Sequence, residues 1–85
     1  MAKIEIYSKD HCPYCVRAKA LLESKGAKYE EFAVDKDAER FQEMLQRAPG
    51  RRTLPQIFIN DQHIGGCDDL FACDKSGELD QLLAR

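Results

Sequence analysis

The sequence predicts a single α/β domain with its elements in the order β-α-β-α-β-β-α. Three observations carry that reading. An alternating segment near the N-terminus is followed by a run of helical periodicity and a second extended segment, which together make a parallel βαβ unit with a right-handed crossover. A second helical run is broken by Pro49-Gly50, and beyond it two short apolar segments flank a polar turn, as in a β-hairpin. The 85 residues leave room for one hydrophobic core, so 1–85 is read as one domain.

Lys3 to Tyr7 alternates, with Ile4 and Ile6 on one face and Glu5 and Tyr7 on the other, the pattern of a half-buried strand. Ser8 to His11 is polar and turn-like. Pro13 suits the first turn of a helix, because its missing N–H would have no intrahelical partner there. Cys15, Ala18, Leu21 and Leu22 recur at helical steps toward Lys25, and Gly26 provides a stop. Lys28 to Val34 is the second strand, with Phe32 and Val34 inward.

Asp37 can cap a helix running to Arg47, whose inner face is Ala38, Phe41, Met44, Leu45 and Ala48. Gln56 to Asn60 is the third strand, Asp61-Gln62 the turn and His63-Ile64 the return strand. Gly65-Gly66 ends the hairpin. Asp68-Asp69 then leads into a helical segment carrying Leu70, Phe71 and Cys73, which Ser76-Gly77 divides from a last helix with Leu79, Leu82 and Leu83.

Composition excludes several classes. The chain is 44% hydrophobic and 33% charged with net charge −2, an ordinary globular balance. No apolar run approaches the roughly 18 residues that span a bilayer. Glu5 interrupts the N-terminus before an apolar signal region can develop, so no secretory signal is predicted and the cytoplasm is the expected compartment. With no basic cluster larger than Arg51-Arg52, neither nucleic acid nor membrane is an expected partner.

Four cysteines, at 12, 15, 67 and 73, remain to be explained. A reducing compartment disfavours structural disulfides and leaves redox chemistry or metal binding. A four-cysteine zinc ribbon has two closely spaced pairs about 15–20 residues apart. Here the pairs are far apart, and five residues separate Cys67 from Cys73, so no metal site is expected. Between a strand and a helix, Cys12 sits beside unpaired helix N–H groups that favour thiolate, and Cys15 one turn on can attack a mixed disulfide formed at Cys12. Lys9 and Arg17 can add positive potential.

A lowered pKa does not chiefly help attack. For a fall from about 8.5 to about 5.5, the thiolate fraction at neutral pH rises roughly thirtyfold while intrinsic nucleophilicity falls by about the same factor. The gain is in departure, when a second thiol releases Cys12 from its mixed disulfide. A site that positions a small thiol beside Cys12 is therefore expected.

Cys12-Pro13-Tyr14-Cys15, Thr53-Leu54-Pro55 and Gly65-Gly66-Cys67-Asp68-Asp69, in that order on this element pattern, resemble the dithiol Cys-Pro-Tyr-Cys class of the glutaredoxin family over essentially the whole chain. The resemblance implies a thioredoxin-like fold, a four-stranded mixed sheet flanked by helices. It implies glutathione as the thiol, serving as reductant and co-substrate, with no permanently bound cofactor and no metal. Glutathionylated proteins and protein disulfides become the expected substrates, with ribonucleotide reductase among the protein partners, and the chain is expected to act as a monomer.

Carried over by position, Cys12 is the nucleophile and Cys15 the resolving thiol, the two forming the redox-active disulfide. Lys9 and Gln42 look toward the glycyl end of glutathione, and Tyr14 lies against the tripeptide. Thr53 and Leu54 precede a proline, Pro55, that is cis in the fold, so that the Leu54 backbone pairs with the cysteinyl part. Gly66, Cys67 and Asp68 receive the γ-glutamyl carboxylate and amine. Leucine at 54 departs from the commoner valine, but its implied contacts are made by backbone.

Gly65-Gly66 also suits close approach of a backbone to a ligand, and the helix start at Asp68 suits a carboxylate. His11 reads as a solvated turn residue, His63 as structural, Cys73 as a small buried hydrophobe, and Arg51 and Arg52 as a weak steering pair. Two rivals remain: a thioredoxin-like reductase served by a flavoprotein, and a metal or iron–sulfur module built on Cys12. Lys9, Tyr14 and the 65–69 run argue against the first, Pro13 and Tyr14 against the second.

Overall fold

A computed structural model describes residues 2–84. Its elements are β1 (Ile4–Ser8), α1 (Pro13–Ser24), β2 (Glu30–Ala33), α2 (Ala38–Arg47), β3 (Gln56–Ile59), β4 (Gln62–Gly65), α3 (Cys67–Lys75) and α4 (Glu78–Leu83). The strands form one mixed sheet in the order β2-β1-β3-β4. β1 is parallel to β2 and antiparallel to β3, and β3 and β4 form the hairpin.

Two cores lie on opposite faces of the sheet. Ile4, Ile6, Ile57 and Ile59 meet Ala18 and Leu22 of α1, Leu70 of α3, and Leu79 and Leu82 of α4. On the other face Tyr7 and Phe58 pack with Met44 and with Ala48 just beyond α2. All five residues of β1 are consequently buried, Glu5 and Tyr7 included. The expected half-buried strand is a central strand covered on both faces, because α2 closes the side that Glu5 and Tyr7 occupy.

Arg47 makes that polar burial possible. Its guanidinium lies 3.9 Å from the Phe58 ring centroid and donates to the Glu5 carboxylate at 3.0 Å and the Tyr7 hydroxyl at 2.8 Å. The Tyr7 hydroxyl donates in turn to Glu43. Burial first, and the Glu43 bond second, push the Tyr7 phenol up to about 12, so it remains protonated and able to donate.

Three smaller expectations shift. Ala38 is exposed, since it opens α2 ahead of Phe41, the first residue of that helix to pack on the sheet. The hairpin turn is Asn60-Asp61 rather than Asp61-Gln62; both residues have positive φ (52° and 67°), as a two-residue turn between twisted strands requires and as Asn and Asp tolerate. α3 starts at Cys67 with Gly66 as N-cap, ahead of the expected start at Asp68.

Removing Arg47 would leave Glu5 buried without its cation. Arg47→Ala should cost about 2–3 kcal/mol, below the roughly 3–5 of a fully buried broken pair, because the Arg47 side chain keeps 24% of its exposure. Urea unfolding checks this, and a loss under about 0.5 kcal/mol, the range of an ordinary surface change, would show that the network contributes little.

Candidate active site

Two loops meet at one end of the sheet. β1 ends at Ser8 and delivers Lys9 to Cys12, while the antiparallel β3 begins at Gln56, opposite Tyr7, and brings Thr53 to Pro55 to the same end. The first loop is tied down from the β2 side: the Ser8 hydroxyl donates to Glu31 at 2.6 Å, the Asp10 amide donates to Asp35 at 3.3 Å, and Lys36 pairs with Asp10 at 2.9 Å.

Cys12 is the N-cap of α1, with extended backbone and Pro13 following in the first turn. The Cys15 N–H donates to the Cys12 sulfur at 3.2 Å, so this sulfur takes the place that a serine or aspartate oxygen usually fills at a helix start. Cys12 and Cys15 form a disulfide, their Cα atoms 5.2 Å apart. Their exposures differ in kind: Cys15 is fully buried, whereas Cys12 keeps 6% and lines an open groove. A thiol entering from solvent meets Cys12 first.

That groove, about 370 Å³, is lined by Lys9, His11, Cys12, Pro13, Tyr14, Arg52, Thr53 and Leu54. A neighbouring groove of about 280 Å³ shares Tyr14, Thr53 and Leu54 with it and continues past Pro55 to Gly66, Cys67, Asp68 and Asp69, with Arg51 at its side. Ten of the eleven expected site residues therefore belong to one locality: Lys9, Cys12, Tyr14, Thr53, Leu54, Pro55, Gly66, Cys67 and Asp68 line the grooves, and Cys15 lies behind Cys12. Gln42 is exposed on α2 and lines neither groove. The Leu54–Pro55 peptide is cis, and the Leu54 carbonyl oxygen lies 4.0 Å from the Cys12 sulfur.

Asp69, which the sequence reading left without a separate role, shapes the far end. Its carboxylate accepts from the Gly66 N–H at 2.8 Å and from Arg51 at 3.1 Å, and these contacts, in that order, hold its carboxyl below the usual range. Gly65 makes room for it. With φ at 119°, a Cβ there would come within 2.7 Å of the Asp69 carboxyl carbon, so this glycine serves the helix cap and only Gly66 faces the groove. The spacing Gly66-x-x-Asp69 is half of a capping box and was the available signal. With Gly66 N–H taken, the next amides of the first turn, those of Cys67 and Asp68, lack intrahelical partners and can accept an anion.

The remaining polar residues separate clearly. Burial pushes the Cys67 and Cys73 thiols up, which disfavours thiolate at both. Arg17 stacks over Phe71, 5.5 Å from its centroid. His63 stacks on Phe58 and is bonded to Gln56, the structural role expected of it. Among the described residues no group of three or more His, Cys, Asp or Glu is placed to hold a metal ion.

A helix-capping cysteine disulfide-bonded to a buried partner, beside a groove edged by a cis-proline loop, defines a thiol–disulfide oxidoreductase site on a thioredoxin-like fold. The family model for glutaredoxin matches residues 4–64. Glutaredoxin 3 of Escherichia coli is 59% identical over 83 residues, covering 98% of this chain and 99% of that protein. A glutaredoxin from Brucella melitensis superposes with TM-score 0.84 at 51% identity, covering 98% of this chain and 89% of that one. A buckwheat glutaredoxin–glutathione complex gives 0.87 at 34% identity, covering 98% and 77%. The chain belongs to the glutaredoxin family, and its activity is glutathione-dependent thiol–disulfide oxidoreduction.

Because the folded Asp69 carboxyl titrates below its ordinary value of 3.8, its contribution to stability is present above that value and is lost as pH falls through the folded one. Acid unfolding followed by circular dichroism should be flatter below about pH 4 for Asp69→Asn than for the unaltered protein. Superimposable acid profiles would show that this cap adds nothing.

Proposed function

We propose that Cys12 is the nucleophile of a one-thiol deglutathionylation cycle and that Cys15 is the resolving thiol of a separate two-thiol route. The observation that carries this assignment is the asymmetry of the pair, with Cys12 at the groove and capping α1, and Cys15 buried behind it. In the first route the Cys12 thiolate attacks the glutathione sulfur of a protein–glutathione mixed disulfide. The protein thiolate leaves and takes a proton from solvent, and Cys12 holds glutathione through a new S–S bond. A second glutathione thiolate attacks that glutathione sulfur, so oxidised glutathione departs and the Cys12 thiolate returns.

In the two-thiol route Cys12 attacks a protein disulfide, Cys15 displaces the substrate from Cys12, and the Cys12–Cys15 disulfide waits for two glutathione molecules. Glutaredoxins as a class have potentials of about −200 to −230 mV, close enough to the cytosolic glutathione couple for glutathione to drive this return. Lys9, Tyr14, Thr53, Leu54, Pro55, Gly66, Cys67 and Asp68 form the glutathione site, with Lys9 near the glycyl carboxylate and the start of α3 at the γ-glutamyl end. Gln42 is assigned the glycyl end by position alone. The protein works in the cytoplasm as a monomer, on glutathionylated proteins and on protein disulfides such as that of ribonucleotide reductase.

Replacing Cys12 by Ser should reduce deglutathionylation of a labelled peptide at least a thousandfold. Cys15→Ser should keep that activity within about threefold while losing reduction of a protein disulfide. Equal loss of deglutathionylation in both variants would remove the one-thiol route.

A further inference from the structure

Gln56 opens β3 and is fully buried, yet it lines neither groove. Nothing in the strand ladder calls for an amide side chain at that position, and burying one is costly unless every polar atom finds a partner. Each does. The amide nitrogen donates to the Thr53 carbonyl at 2.9 Å and to the Thr53 hydroxyl at 3.3 Å. The amide oxygen lies 2.7 Å from His63 Nε2. With the nitrogen committed to a carbonyl, the oxygen must be the acceptor from His63, so His63 Nε2 carries the proton.

His63 is itself fixed. Its ring stacks on Phe58, 4.9 Å between centroids, and it lies on β4 opposite Phe58 in the ladder. Gln56 thus links a rigid hairpin to the loop that carries Thr53 and Leu54. The link has a directional consequence. A trans peptide is planar, with its C=O and the following N–H pointing opposite ways. The Thr53–Leu54 peptide is trans, and its carbonyl is held inward by Gln56, so the Leu54 N–H is turned away from Gln56. Leu54 lines both grooves, and its own carbonyl lies 4.0 Å from the Cys12 sulfur.

We propose that Gln56 is a positioning residue: by pinning the Thr53 carbonyl, and being pinned by His63, it aims the Leu54 N–H at the groove and so sets affinity for the thiol substrate. This rests on the reading of Thr53 to Pro55 as the edge that pairs with the cysteinyl backbone of glutathione. Gln56 touches neither substrate nor reacting sulfur. Its loss therefore weakens recognition while leaving the Cys12 thiol, set by the start of α1, as it was.

The test is steady-state deglutathionylation of a glutathionylated peptide with glutathione as varied reductant, alongside the alkylation rate of reduced Cys12 at pH 7. Gln56→Leu should raise KM for glutathione about tenfold, the equivalent of about 1.4 kcal/mol, with kcat and alkylation rate within twofold of the unaltered protein. Gln56→Glu is isosteric but sets an acceptor against the Thr53 carbonyl, and it should raise KM at least as much. If Gln56→Leu does not fold, His63→Ala, which removes the outer anchor together with its stack on Phe58, should raise KM about threefold in a protein with unchanged circular dichroism.

An unchanged KM in the folded variants, or a loss confined to kcat and Cys12 alkylation, would overturn the role of Gln56. If instead the unaltered protein failed to saturate with glutathione, or used 2-mercaptoethanol equally well at equal thiolate, the glutathione reading itself would fall.

Discussion

The antiparallel register that sets Tyr7 opposite Gln56 is the constraint on which the site depends. It places the end of β1 and the beginning of β3 at the same edge, so the loop ending in Cys12 and the loop ending in Pro55 have to meet. Register is well specified here because β1 and β3 bury side chains on both faces, and a slip of one residue would exchange the isoleucines of one core with the Tyr7, Glu5 and Phe58 side of the other. Arg47 makes the second face tolerable by pairing with the carboxylate that β1 carries into it. Fold stability and site geometry are thus linked through one pair of strands.

Within that frame the division of labour is electrostatic on one side and geometric on the other. The start of α1 supplies the Cys15 N–H to the Cys12 sulfur, and such a helix start favours thiolate, chiefly improving its departure from a mixed disulfide. The grooves supply position, with a pinned peptide edge at Thr53-Leu54 and a helix start at Gly66 whose first amide is already satisfied by Asp69. Cys67 lines the second groove as the first residue of α3, but its sulfur is not the capping atom there, and burial disfavours its thiolate. Proximity to the site does not by itself make a cysteine reactive.

Most of the element plan was legible because periodicity and breakers agreed: Pro13, Gly26, Pro49-Gly50 and Ser76-Gly77 all fall at boundaries. The chemistry at Cys12 and Cys15 was legible because it is local, fixed by spacing and by the first turn of one helix. What escaped was nonlocal. Glu5 and Tyr7 resemble a solvent face until Arg47, forty-two residues beyond Glu5, is folded onto them. Gln56 resembles an ordinary strand residue, and only its parity with Phe58 signalled a polar side chain on an apolar face. The start of α3 lies ahead of Asp68 because Asp69, the third residue of the helix, reaches back to the Gly66 amide and makes Gly66 the cap.

The central claim, that the start of α1 and the adjoining grooves make Cys12 a low-pKa thiol with a glutathione site beside it, is tested most directly by one titration. The rate of Cys12 alkylation in the reduced protein is measured against pH, with and without S-methylglutathione as a non-reacting occupant. A midpoint well below the roughly 8.5 of a free cysteine, with slower alkylation when the occupant is present, is the predicted result. An ordinary midpoint and no protection would contradict it.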